Sequence, residues 1–365
     1  MSACPSSNRS SSNSEDEQDW TADDSILTIS WHKEPVYAVD CHPQLSNTFL
    51  SASGDGTACL WKLEDWSDIK PYHTVEESED SRAFAKFTPD GTRFATASLD
   101  GSVQVFDASS GSLVFDLVGP SSSVEFIRWF QDSSCLVAGC SDQTAWIWSM
   151  SDASPLNVFA TNSPVTCGCL FRQDEYVVLG MEDGSISVFQ SLTVPQVTFP
   201  VLTSQGPSII CLESTSQLVA SGVADGHILL IQPETGRILA RTKPHNDSVE
   251  SIDFSSSYPW LVSASTDATV SVWDLERSVQ RYQWRHEGAV VKVQWLNRNY
   301  PFLVLSASAD NTLCLWDIRT ATNNSCVKTF HGHSDTILDF SMTNDEQIIV
   351  TGCDDNDIRL FMLQE

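Results

Sequence analysis

The sequence predicts an all-β fold, a ring of eight four-stranded blades forming a β-propeller, and three observations carry that prediction. A polar pattern recurs every 41 to 45 residues, short runs rich in β-branched and aromatic residues fill the intervals, and none of those runs is long enough for a helix. The pattern is plainest between His245 and Trp273: Ser263 follows His245 by 18 positions, Asp267 comes next, and Trp273 stands six positions after it. His286, Ser306, Asp310 and Trp316 repeat the spacing, and His333, Thr351, Asp355 and Phe361 repeat it with Phe in place of Trp. Val249–Phe254, Trp260–Ala264 and Val270–Trp273 are the strand-like runs of the first of these units.

A period of this length, with a Gly-His-like opening and a Trp-Asp-like finish, is the signature of WD40 repeats. The residue types explain the period. An Asp in a tight turn accepts a hydrogen bond from an imidazole in the preceding loop, the imidazole meets a Ser or Thr hydroxyl, and the hydroxyl meets an indole N–H. Such tetrads look like catalytic groups, but they recur with the repeat, as scaffolding does and a single active site does not.

Taken in order, residues 1–24 form a disordered acidic leader, rich in Ser, Asn and acid with little to bury. Residues 25–365 form one propeller domain. Residues 26–30 alternate like a strand and supply the outer strand that the last unit lacks, closing the ring and removing an exposed sheet edge. The units are counted from each turn Asp to the aromatic or apolar residue six positions on. The pairs are Asp55 and Trp61, Asp100 and Phe106, Asp142 and Trp148, Asp183 and Phe189, Asp225 and Ile231, Asp267 and Trp273, Asp310 and Trp316, and Asp355 and Phe361. The turns carry Asp-Gly at Asp55, Asp100, Asp183 and Asp225 and Asp-Asn at Asp310 and Asp355, as a tight β-connection with positive φ requires. Four positions before the Asp stand Ser51, Thr96, Ser221, Ser263, Ser306 and Thr351, with Ala138 and Leu179 breaking the pattern. His32, His245, His286 and His333 supply imidazoles, whereas blades three to five have none and are expected to be held by packing alone.

Composition excludes several functions. No apolar run approaches the roughly 18 residues that span a bilayer. The eleven cysteines lie mostly inside strand-like runs, and Cys167-Gly-Cys169 has no second pair or His at metal-ligand spacing, so neither metal nor cofactor is expected. No phosphate loop or nucleophile motif interrupts the repeat, which points away from an enzyme. The 48 acidic against 20 basic residues give a net charge of −28. That charge repels nucleic acid and anionic membranes and attracts basic partners.

In a ring of this kind, the loops entering the first strands and the turns joining the second and third strands open on one face. The carboxylates at those positions are Glu34, Asp80, Glu125, Glu182, Asp247, Glu250, Glu287, Asp335 and Asp354, with Lys33 and Arg285 the nearest cations. Together they predict an acidic, peptide-binding mouth, to which Tyr37 and Phe84 add aromatic faces for Lys or Arg. Asp247 and Asp335 have a structural reading as ties of their own loops. Glu125, Glu182 and Glu250 gain nothing structurally from their charge.

The segments Asp247-Ser-Val-Glu-Ser-Ile-Asp-Phe254, Gly332-His-Ser-Asp-Thr-Ile-Leu-Asp-Phe340, Pro164-Val-Thr-Cys-Gly168 and Glu182-Asp-Gly-Ser-Ile186 are joined by an acidic leader ending in Trp20. In that order and spacing they resemble the angio-associated migratory cell protein family, which includes the yeast dedicated chaperone of the large-subunit ribosomal protein L-ten. The resemblance implies a monomeric, non-enzymatic protein of the cytoplasm, with the nucleus a second compartment. It implies capture of the basic N-terminal tail of that ribosomal protein on the acidic face, and its delivery to the maturing subunit. The leader here is shorter than the family's. Trp316-Asp317-Ile318-Arg319 also matches the short pattern by which WD40 substrate receptors meet the adaptor of a cullin ubiquitin ligase, which leaves a receptor or signalling scaffold as the alternative.

Overall fold

The eight repeats fold as eight antiparallel sheets, each of four strands. The computed structural model describes residues 23–63, 69–75, 78, 80–192, 197–202, 206–320 and 326–363. Residues 1–22 of the leader, and the acidic residues Glu64, Asp65, Asp68, Glu76, Glu77 and Glu79 that follow the first Trp-ended unit in sequence, lie outside the described residues.

The first strands of the blades are Val36–Cys41, Arg82–Phe87, Val124–Trp129, Val165–Phe171, Ile209–Ser214, Val249–Phe254, Val290–Trp295 and Ile337–Met342. They touch one another around the ring, that of blade eight meeting that of blade one, and so line the channel. Each has a β-bulge at its second residue, which twists the strand and turns that side chain out of the ladder. At the opposite edge of blade eight, Leu27–Ile29 pairs with Ile358–Met362, with Leu27 opposite Leu360 and Ile29 opposite Ile358. The expected closing strand is therefore present, and an Asp23–Arg359 ion pair reinforces it.

Burial follows the seams between blades. Among the described residues, eight hydrophobic clusters each bridge two neighbouring blades. The residue after each turn Asp has positive φ in all eight blades, between 67° and 93°. Glycine fills that position in four blades, whereas Gln143, Ala268, Asn311 and Asn356 adopt it at a cost of about 1 kcal/mol each.

Candidate functional site: an acidic mouth over a charged channel

The tetrads come first because they set the rim. In blade one, His32 Nε2 lies 2.8 Å from Ser51 Oγ, and Trp61 Nε1 donates to the same oxygen at 2.9 Å. In blade seven, His286 and Trp316 both reach Ser306 Oγ at 2.7 Å, and His286 Nδ1 lies 3.0 Å from Asp310. Blade eight pairs His333 with Thr351 at 2.7 Å and with Asp355 at 2.9 Å, Phe361 supplying packing alone. Blade six departs from expectation. His245 meets Ser263 at 2.7 Å and Thr269 at 2.8 Å, with Asp267 at 3.4 Å. Its Trp273 makes no hydrogen bond among the described residues. That indole packs into the seam with blade five, and the Ser263 hydroxyl turns instead toward the Ser271 carbonyl at 3.5 Å.

Blade two shows a device the sequence reading missed. Arg82 is 2% exposed, and its guanidinium replaces the imidazole. It donates to Thr96 Oγ1 at 2.7 Å, the Gly56 carbonyl at 2.9 Å and Gln104 Oε1 at 3.0 Å. Burial alone would raise the carboxyls of Asp55, Asp310 and Asp355, but hydrogen bonds from the imidazoles and loop N–H groups hold them well below the usual range. His333, Cys353 and Asp355 offer ligand atoms within 4.8 Å of one another. Both ring nitrogens of His333 are already engaged by Thr351 and Asp355, so the cluster reads as a tetrad rather than a metal centre.

The rim itself is built by one repeated bond. In every blade the N–H of the residue before the turn Asp donates to a carbonyl of the loop entering the first strand, at 2.8 to 3.0 Å. This bond puts Glu182 and Asp354 on the same rim as the loop residues Glu34, Asp80, Asp247, Glu287 and Asp335. Glu125 and Glu250 stand at the bulges of blades three and six, where their side chains leave the ladder at the channel mouth.

The acidic rim divides by residue type. Asp80, Asp247 and Asp335 each accept the N–H of the next residue, at 2.7, 2.9 and 2.7 Å, and so tie their own loops. The carboxylates of Glu34, Glu125, Glu182, Glu250 and Glu287 have no hydrogen bond or ion pair among the described residues. Burial, together with the Asp335 and Asp355 carboxylates, raises the Asp354 carboxyl above its ordinary range, which shows how closely these anions are placed. Tyr37, at a bulge, is 38% exposed on the rim, and Trp31 is 46% exposed beside blade one. Phe84 is not on the rim. It follows the bulge of blade two by one residue and turns into the seam with blade three.

Below the mouth lies a belt of charge not foreseen from the sequence. Lys86 pairs with Asp40 at 2.9 Å across blades one and two, and Lys292 with Asp339 at 2.6 Å across blades seven and eight. Arg128, Glu213 and Asp253 belong to the same belt. Its carboxylates also satisfy N–H groups that the inner edge strands leave unpaired: Asp40 accepts from Phe87 at 2.8 Å, Asp253 from Trp295 at 2.7 Å and Asp339 from Val39 at 2.9 Å. Four carboxylates against three cations leave the belt nearly neutral, in contrast to the carboxylate rim above it. Burial, reinforced by Glu213, pushes the Asp253 carboxyl up to about 7.

On the opposite face, Arg319 folds back onto Asp317 at 2.7 Å and lies 3.4 Å from the centre of the Phe302 ring. The guanidinium through which a ligase adaptor would be met is thus held within its own blade.

Eight blades, structural tetrads and an unpartnered glutamate rim define a protein-binding propeller. The chain belongs to the family described as WD domain, G-beta repeat, whose model matches residues 23–62, 70–107, 111–149, 236–274, 278–317 and 324–361. The longest unmatched interval, 150–235, includes blades four and five, which like blade two lack both His and Trp tetrad members. The angio-associated migratory cell protein of Homo sapiens is 25% identical over 360 residues, covering 94% of this chain and 81% of that protein. Among solved structures, Sqt1 of Saccharomyces cerevisiae superimposes with a TM-score of 0.84 at 19% identity, covering 94% of this chain and all of that one. Sqt1 of Chaetomium thermophilum bound to the N-terminus of ribosomal protein L10 gives 0.80 at 22% identity, covering 93% and 100%. These two likenesses are likenesses of fold.

Proposed function

We propose that this chain is a non-enzymatic chaperone that captures a basic protein segment, the N-terminal tail of a large-subunit ribosomal protein, across its acidic mouth. The observation that carries the reading is the set of five rim glutamates without a partner among the described residues, Glu125 and Glu250 standing at the channel itself. A carboxylate that ties no loop and neutralises no cation is available to a guest. Each exposed pair contributes only about 0.2–1 kcal/mol, so several must act together, and their joint field speeds encounter in a salt-dependent way. The solved complex of a similarly folded Sqt1 with the N-terminus of L10 supports the choice of guest. This reading places the protein in the cytoplasm, with the nucleus a second compartment, acting as a monomer during ribosome assembly.

The test is calorimetric titration with the N-terminal peptide of ribosomal protein L10 at two salt concentrations, beside Glu125→Lys and Glu250→Lys. Tight binding that weakens with salt and is lost on charge reversal is the expected result. Absence of binding to the folded protein overturns the reading.

A further inference from the structure

A second concave site lies at the other end of the strands, between blades three and four. A pocket of about 470 Å³ opens there, lined by the first turn of blade three (Phe130, Gln131, Asp132, Ser134) and by Gln173, Asp174, Glu175, Gln190, Ser191 and Leu192 of blade four. The volume falls within the range of about 300–1,000 Å³ in which small ligands are held. Turns of this face connect the first strand to the second, so the pocket is separated from the acidic mouth by the length of a strand.

Two side chains single it out. Asp174 is only 8% exposed. Its Oδ2 accepts the Gln131 N–H at 2.6 Å, across the seam, and its Oδ1 accepts nothing among the described residues. Ser191 is 1% exposed, and its Oγ has no hydrogen-bond partner. The Asp174 Oδ1 opens on the pocket without a donor among the described residues, and the Ser191 hydroxyl beside it is a buried polar atom left unsatisfied, which native proteins rarely tolerate, so the wall offers acceptors to a donor from outside the chain. The neighbouring carboxylates are less available. Asp132 accepts from the N–H and hydroxyl of Ser134 at 2.9 and 2.6 Å. Glu175 lies 3.7 Å from Arg172, whose guanidinium also reaches Glu234 at 3.3 Å. Burial raises the Asp174 carboxyl above its ordinary range despite the Gln131 hydrogen bond, and Asp132 adds to the effect, as befits an anion without a counter-charge. Phe130 and Leu192 supply apolar wall beside these acceptors.

We propose that this pocket binds an alkylammonium or guanidinium group, its N–H donors meeting Asp174 Oδ1 and its aliphatic stem lying against Phe130 and Leu192, while the Ser191 hydroxyl, closed to solvent here, turns about χ1 to accept a second N–H. The site is separate from the mouth and does not depend on what the mouth holds. The cation comes either from a Lys or Arg side chain of a protein or from a free polyamine, and the two are distinguished by the probes.

The full chain is titrated with N-acetyl-arginine amide, N-acetyl-lysine amide and putrescine, following the Gln131 amide by NMR and the heat of binding by calorimetry. The expected result is saturable binding of at least one probe that moves the Gln131 resonance. Asp174→Asn keeps an acceptor for the Gln131 N–H and is expected to weaken binding at least tenfold. Ser191→Val serves as an independent second variant, with a several-fold loss. Preference for the blocked amino acids assigns the site to a protein side chain, and preference for putrescine to a polyamine. Glu125→Lys, which acts on the mouth, is expected to leave the Gln131 shift unchanged whatever it does to the total heat. Absence of saturation with all three probes overturns the proposal. So does a Gln131 shift that survives both pocket variants, or one that Glu125→Lys removes.

Discussion

The ring of Phe126 stands where a side chain on Gly168 would be: a Cβ built on Gly168 overlaps the Cζ of that ring. Gly139, on the second strand of blade three, leaves room for the same ring from the other side. Blades three and four have no imidazole tetrad. Their seam is closed instead by an aromatic side chain in a slot between glycines, which satisfies no polar group but fills the space to core density.

Gly168→Ala is therefore expected to destabilise the protein by about 1–3 kcal/mol through overpacking. Phe126→Leu in that background should recover part of the loss, because the shorter side chain vacates the slot. Urea unfolding of the two single variants and the double variant reads the coupling. Equal stability of Gly168→Ala and the parent would sink the account.

Arg82 and Arg319 offer a contrast between a buried and an exposed guanidinium. Arg82→Met strands the Thr96 hydroxyl and the Gln104 side-chain oxygen inside blade two and takes one donor from the Gly56 carbonyl of blade one, which keeps the Ser78 N–H, with an expected loss of at least about 2 kcal/mol. Arg319→Met removes a pair whose Arg side chain is 60% exposed and solvent-screened, with an expected loss well short of that of Arg82→Met. Comparable losses on denaturant unfolding would show that the blade-two network is not the anchor it resembles.

The tetrad aspartates predict the acid limb of stability. Asp310 has a native carboxyl held below its ordinary value of 3.8, so it stabilises the fold above about pH 4 and that contribution fades as pH falls. Asp310→Asn should cost on the order of 1–3 kcal/mol at pH 7, and the gap from the parent should narrow below pH 4. Stability curves for both proteins from pH 3 to 7 check this, and a gap constant with pH refutes it.

Asp253 predicts the opposite sign. Its native carboxyl is pushed up to about 7 from 3.8, so the folded state is penalised progressively as pH rises from about 4 to 7, and fully above that. Asp253→Asn retains an acceptor for the Trp295 N–H and is expected to stabilise the protein by about 1–3 kcal/mol at pH 8. The gain should vanish near pH 4. A loss of melting temperature at pH 8 would contradict the reading.

What the sequence displays depends on whether an interaction stays within one repeat. The tetrads of blades one, seven and eight lie inside a single unit, so spacing alone exposes His286, Ser306, Asp310 and Trp316. Arg82, the Phe126 slot and the Lys86–Asp40 and Lys292–Asp339 pairs join residues through shape or across a seam, where no fixed spacing marks them. Phe84 shows a subtler limit. One bulged residue reverses which side of a strand faces the seam, so a position beside the mouth in sequence lies within the wall in space. The rim glutamates were legible because they sit at the bulge itself or in the loops above it. Asp174 was not, because its partner Gln131 belongs to the preceding blade.

The outer strand of blade eight has a consequence for how the molecule is made. Asp23 and Arg359, which meet beside it, are 336 positions apart in the chain. At roughly 5–20 residues per second, a ribosome needs on the order of 20 to 70 s to pass from one to the other. Throughout that interval the growing arc ends in an unpaired strand, and Leu27–Ile29 waits without its neighbour. A propeller built this way is, for most of its own synthesis, an unfinished circle with an adhesive end.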